Sequence, residues 1–236
     1  MATAKTARII EARALGPETR LLDLEPAEPL GFVGGQYVIV DSGVVLDGGK
    51  KAKRAYSILS SDARQDRVQI AVRRIAAGPG SSYMHALAVG DTVTFSGPWG
   101  QYLPDDARPR ATWVIATDTG VTAALGLTRG LKFAPQRERA RRVWLVESAN
   151  YFLPREFLDE GWIVLPLPPP GHPERVDAAL DALRAMLERE GAPESAFLSG
   201  DGAVLWPLRD ALAQAGLAPE RVRLEAFFNN PAKKST

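Results

Sequence analysis

The sequence predicts a two-domain protein: an antiparallel six-stranded β-barrel, followed by an α/β domain with a doubly wound, parallel five-stranded sheet. Three observations lead there. The first hundred or so residues carry short strand-like runs punctuated by Gly and Pro, a pattern of antiparallel barrels. The remainder alternates strand-like and helix-like segments, which implies parallel strands with helices on both faces. Between the two, Pro104 to Arg110 holds two prolines and mixed charges and reads as a linker. The expected limits are 1–104 and 110–236, sizes usual for single domains.

In the first part, Thr6–Arg13 and Thr19–Leu24 mix alternation with short apolar runs, bounded by Pro17, Pro26 and Pro29. Gly34–Val40 is entered through a glycine pair, and Asp41 to Lys53, rich in Gly, Asp and Lys, reads as a loop. Tyr56–Leu59, Arg67–Val72 and Thr92–Phe95 complete the strands, with a short helix expected over Ser81–Leu87. In the second part the expected strands are Thr112–Ala116, Arg142–Val146, Trp162–Leu165, Ala196–Ser199 and Val222–Phe228. Helices are expected over Thr122–Leu131, Arg155–Asp159, Val176–Glu190 and Val204–Ala215; Val176, Leu180, Leu183 and Leu187 share one face. The tail, 231–236, reads as disordered.

Composition narrows the function. At 45% hydrophobic and 24% charged, the chain has the make-up of a soluble globular protein. A net charge of +1 gives no electrostatic case for nucleic acid or an anionic membrane. The absence of cysteine excludes disulfides, thiolate zinc sites and Cys-held iron–sulfur clusters within this chain, and suits a reducing cytoplasm. The first residues lack a signal-peptide core, and no apolar run reaches the length of a membrane span. A cytoplasmic location is therefore expected. His85 and His172 lie far apart with no carboxylate cluster beside them, so no metal site is expected.

The residues with the clearest chemistry are Arg54, Tyr56 and Ser57, ahead of the Gly/Ser loop Gly78–Ser82. An arginine clamps phosphate, a tyrosine offers a flat stacking face, and a serine supplies a small donor and acceptor. Together they suit a flavin. In the second part, loops at Thr117–Thr122 and Ser199–Gly202 follow strands, where ligands of parallel sheets bind near helix starts. For the second loop the plain alternative is a strand-to-helix turn with an N-cap.

Taken in order, these motifs resemble the ferredoxin–NADP reductase superfamily over nearly the whole chain. Arg54-Ala-Tyr56-Ser57 matches its Arg-x-Tyr-Ser flavin motif, and Gly78-Pro-Gly80-Ser81-Ser82 its Gly-x-x-Ser pyrophosphate motif. Gly97-Pro98-Trp99-Gly100 matches the Gly-Pro-aromatic-Gly that ends the barrel. Ala116-Thr-Asp-Thr-Gly120, Ser199-Gly-Asp-Gly202 and Glu225-Ala-Phe227 resemble its nucleotide loop, its Cys-Gly loop and its C-terminal Glu-x-aromatic.

The resemblance implies an FAD-dependent enzyme using NADPH or NADH. Arg54 would contact the flavin phosphate, Tyr56 would stack on the isoalloxazine, and Ser57 would sit near the reactive N5. Gly80, Ser81 and Ser82 would bind the pyrophosphate. Thr119 and Gly120 would lie under the nucleotide's diphosphate. Ser199 and Glu225, with Gly200 in the same loop, would lie near the nicotinamide, and Phe227 or Phe228 would cover the flavin face. The electron partner would be a separate ferredoxin, flavodoxin or oxygenase component.

Three positions depart from the family. Asp118 replaces a glycine, Ala123 a proline, and Ser199 a cysteine. A carboxylate beside a diphosphate is repulsive unless it points away or meets a cation. Asp118 therefore motivates an alternative: a flavin-binding electron-transfer or regulatory subunit of a larger complex, with an impaired nicotinamide site. For the nucleotide's ribose, Glu147 suits a free 2′-hydroxyl, whereas Arg137, Arg139, Arg141 and Arg142 would suit a 2′-phosphate.

Overall fold

A computed structural model describes residues 3–46, 48–49, 51–76, 78–106, 108–147 and 152–230; the tail expected to be disordered, 231–236, lies outside them. By contacts the chain divides into two units. The first holds the residues up to Leu103 together with Leu125–Ala134 and Phe152–Pro154, and the second holds the rest.

The first unit is built on β1 (Lys5–Ala14), β2 (Thr19–Pro26), β3 (Tyr37–Val45), β4 (Lys51–Ser57), β5 (Val68–Arg73) and β6 (Thr92–Trp99), with α1 (Pro79–Ala86) between β5 and β6. These strands form one antiparallel sheet in the order β4-β3-β6-β1-β2-β5. Its ends meet where Leu59, just past β4, donates its amide to Gln69 O of β5 at 2.9 Å. Alternate residues fill the interior: Ile9, Leu22, Leu24, Val38, Val40, Ile70 and Phe95 are buried there, and Met84 of α1 joins them. Each such side chain contributes about 1.5–3 kcal/mol by leaving water. In the same unit Asp62 is buried and accepts from the amides of Gly34 at 3.0 Å and Leu131 at 2.7 Å.

One expectation fails here. Asp41 to Lys53 is not a loop throughout; β3 runs on to Val45 and β4 starts at Lys51, pairing Asp41 with Lys53 and Val45 with Lys51. A bulge between Asp41 and Val45 takes up the mismatch, with Gly43 at φ 71° inside it. The Ser42 hydroxyl donates to Ala52 O at 2.8 Å across the ladder. Gly43 belongs to the bulge, and Lys51 and Lys53 are exposed strand residues of a hairpin.

The second unit carries β7 (Thr112–Thr117), β8 (Ala140–Val146), β9 (Trp162–Pro166), β10 (Ser195–Asp201) and β11 (Val222–Phe228) in one parallel sheet, ordered β11-β10-β7-β8-β9. Helix α2 (Val121–Arg129) follows β7, α3 (Arg175–Glu190) follows β9 and α4 (Gly202–Gln214) follows β10. The amphipathic pattern works as expected: Ala179, Leu183 and Met186 of α3 and Val204, Leu205, Leu208 and Leu212 of α4 pack on Trp113, Ile115, Val143 and Leu145. The helix expected at Arg155–Asp159 is a single 3-10 turn, Arg155–Phe157. Starting from β7, the order runs outward both ways, so β7 and β10 flank the point where the winding reverses. The loops after these two strands sit at that switch point, the usual ligand position of such sheets.

Candidate functional site

In the first unit, Arg54 and Tyr56 lie two apart on β4, hence on one face of the strand. Arg54 is exposed, and its guanidinium donates to the neighbouring Lys53 O at 2.8 Å. Tyr56 is half-buried against the barrel core. Burial pushes its phenol up to about 12, only partly countered by the Arg54 charge, so the ring is neutral throughout the working pH range. Ser57 is buried.

Helix α1 starts beside this pair. A Cβ on Gly80 would stand 2.7 Å from Arg54 Cγ, so the arginine stem runs along the helix start and the lack of a side chain there makes room for it. The N-cap is Gly78, Pro79 opens the helix, no side chain caps it and no acid lies in its first turn. The first-turn amides and the guanidinium are thus next to each other and free of competing carboxylates. That donor set fits the phosphates of FAD. The Ser81 hydroxyl is bonded within its own loop. It accepts from Ile75 N at 3.1 Å and donates to Gly78 O at 3.0 Å, so it shapes the loop, while Ser82 is exposed.

In the second unit, Thr119 and Gly120 form a 3-10 turn with Asp118 ahead of α2. This turn packs on the carboxyl end of β10: the residues expected as a loop, Ser199–Gly202, are the last of the strand and the first of α4. A Cβ on Gly120 would fall 2.2 Å from Ser199 O, and the buried Ser199 hydroxyl donates to Gly120 O at 2.9 Å. Gly200, at φ 128°, is pressed against Thr117 O. The capping turn weighed from sequence is present: Asp201 accepts from Ala203 N at 3.1 Å. Ser199 stands beside Glu225 in the parallel register. Glu225 is half-buried, and burial pushes its carboxyl up to about 7. Phe227 is exposed, and Phe228 is half-buried.

Asp118 meets a cation. Its carboxylate pairs with Arg175, the first residue of α3, which also donates to Asp201 through Nε at 3.1 Å. All three side chains are buried. Arg175 escaped the sequence reading, although one signal was there: an arginine in a helix's first turn opposes the helix dipole and calls for a carboxylate elsewhere. The arginines considered for a 2′-phosphate lie at or before the amino end of β8, the opposite end from Asp118, and Arg141 pairs with Glu190 at 2.9 Å. Glu147 follows the carboxyl end of β8. Among the described residues no cluster of three or more His, Asp or Glu is placed to hold a metal. Among the same residues no helix is long and apolar enough to cross a membrane.

Both sheets together make the two-domain fold of ferredoxin–NADP reductase-like flavoenzymes. Residues 6–103 match the oxidoreductase FAD-binding domain family. Over 147 residues the chain is 34% identical to ferredoxin–NADP reductase B of Sorangium cellulosum, covering 61% of this chain and 58% of that protein. It is 35% identical over 142 residues to the reductase subunit of an aromatic O-demethylase of Amycolatopsis, covering 56% of this chain and 40% of that one. The match thus spans little more than half the length of these relatives, or less. Among solved structures, the Amycolatopsis cytochrome P450 reductase GcoB superposes with a TM-score of 0.71 at 28% identity, over 95% of this chain and 70% of that one.

Proposed function

We propose that the chain is an FAD-dependent oxidoreductase that moves electrons between NAD(P)H and a separate one-electron carrier, such as a ferredoxin, a flavodoxin or an oxygenase component. The observation that carries this reading is the uncapped start of α1 beside Arg54, inside the segment that matches the FAD-binding family. The names of the relatives, a ferredoxin–NADP reductase and the reductase subunit of an aromatic O-demethylase, support the electron route. In this reading residues 1–104 serve the flavin and residues 110–236 the nicotinamide nucleotide.

The chemistry a bound flavin supplies is acceptance of a hydride from a nicotinamide and release of electrons singly. The chain's residues bind and orient. Arg54 and the first-turn amides of Gly80 and Ser81 would hold the diphosphate, with the exposed Ser82 side chain beside them, and the Ser81 hydroxyl keeps the loop in shape to do so. Tyr56 offers a neutral ring face, and Ser57 a small hydroxyl beside it. Thr119, Gly120 and Gly200 form the tight turns that face a nucleotide, Ser199 and Glu225 flank the nicotinamide, and Phe227 shields the flavin until the nicotinamide arrives. Near pH 7 Glu225 exists in both protonation states, so it is able to hold or release a proton there. The position of Glu147, on the same end of the sheet as Asp118, favours a free ribose 2′-hydroxyl and hence NADH.

A second reading, a flavin-binding subunit with an impaired nucleotide loop, was favoured by Asp118; its pairing with Arg175 removes much of that objection. Anaerobic titration separates the two. Purified yellow protein bleached by NADH or NADPH supports the reductase, and yellow protein bleached by neither supports the second reading.

A further inference from the structure

The switch-point loops hold a charge cluster that nothing in the flavin chemistry requires. Arg175 is 3% exposed, Asp118 5% and Asp201 1%. Each nitrogen group of the guanidinium is used: Nε on Asp201, one terminal amine on Asp118 and the other on Pro168 O. The second oxygen of Asp201 accepts from Ala203 N and from Asn229 Nδ2, each at 3.1 Å. The Asp201 amide donates to Thr117 Oγ1 at 2.7 Å. Asp118 stands at φ 48°, the left-handed conformation that costs glycine nothing, and its carbonyl accepts from Trp144 Nε1 at 2.9 Å.

The consequence is directional. At the turn where a nucleotide's diphosphate is expected, the one acid is held inward on a guanidinium. Without that guanidinium two buried carboxylates would share one pocket. Their repulsion and desolvation would drive one of them out, and the loop mouth is the nearest way.

We propose that Arg175 is a positioning residue for nucleotide binding: by holding Asp118 and Asp201 inward, it keeps the turn 118–120 acceptable to the diphosphate of a nicotinamide nucleotide. This rests on the reading of the second unit as nucleotide-binding. A buried pair that served stability alone would be replaceable by apolar side chains with little loss; the role proposed here instead predicts charge-specific rescue.

The test is calorimetric titration of FAD-loaded protein with NAD+ and NADP+, at low and high salt. Arg175→Met is expected to weaken binding of the preferred nucleotide about ten-fold or more, with most of the loss screened by salt, and with flavin content unchanged. Adding Asp118→Asn to Arg175→Met is expected to restore affinity to within a few-fold of wild type. Unchanged affinity in Arg175→Met, or no recovery in the double variant, overturns the proposal. If Arg175→Met alone does not fold, the double variant and Asp118→Asn in the wild-type background decide. Both should then bind at least about as tightly as wild type, and a ten-fold loss in either overturns the proposal. Wild-type protein that binds neither nucleotide defeats the nucleotide-binding reading itself, and the proposal with it.

Discussion

Glu225 has its carboxyl raised by burial from 4.5 to about 7, and this makes a signed prediction. Below the ordinary glutamate range both native and unfolded chains carry the proton, and nothing is lost. As pH rises towards 7 the unfolded chain ionises first, so native stability falls across that window. Glu225→Gln removes the titration. Its urea midpoint should therefore gain on wild type between pH 5 and pH 8, and a gap that stays constant would rule the burial argument out. Arg54 makes the second prediction at this scale. A charge-assisted bond to phosphate is worth about 1.5–3 kcal/mol, so Arg54→Ala should weaken FAD binding by roughly ten- to a hundred-fold, read as flavin absorbance per chain after dialysis. Full retention would remove Arg54 from the site. At this scale a sequence is readable where one residue carries its own chemistry, which is how Arg54 and Tyr56 came to be proposed. It is not legible where function depends on a pair 57 residues apart, as with Arg175 and Asp118.

Among the elements, periodicity did most of the work. Alternation and short apolar runs located most strands of both sheets, and helical spacing placed α3 to within a residue of its observed start. The β3–β4 hairpin was missed because its bulge uses glycine and its outer face uses lysine, the same residues that loops use. The bonds of the Ser81 hydroxyl were hidden for a related reason: a motif gives position, but only the fold pairs that oxygen with Ile75 N and Gly78 O. The close packing of the loops after β7 and β10 was equally hidden, since it joins segments distant in the chain. It predicts that Gly120→Ala, whose Cβ would fall 2.2 Å from Ser199 O, destabilises the protein by about 1–3 kcal/mol and loosens nucleotide binding. Thermal unfolding and nucleotide titration check both parts; an unshifted melting point would show that the backbones can part at little cost.

For the whole molecule, the proposed reading divides the labour between the two sheets. The first unit supplies a cation, a neutral ring and an uncapped helix start, and the second supplies glycine turns at a topological switch point. With no cysteine in the chain, none of its residues can hold an iron–sulfur cluster through thiolates. The account's central claim is that one chain both holds FAD and accepts reducing equivalents from a nicotinamide. Anaerobic stopped-flow mixing of the FAD-loaded protein with NADH, and separately with NADPH, tests it most directly. The account predicts rapid bleaching of the flavin by at least one of them, with NADH the faster; a flavin that stays oxidised with both would contradict it.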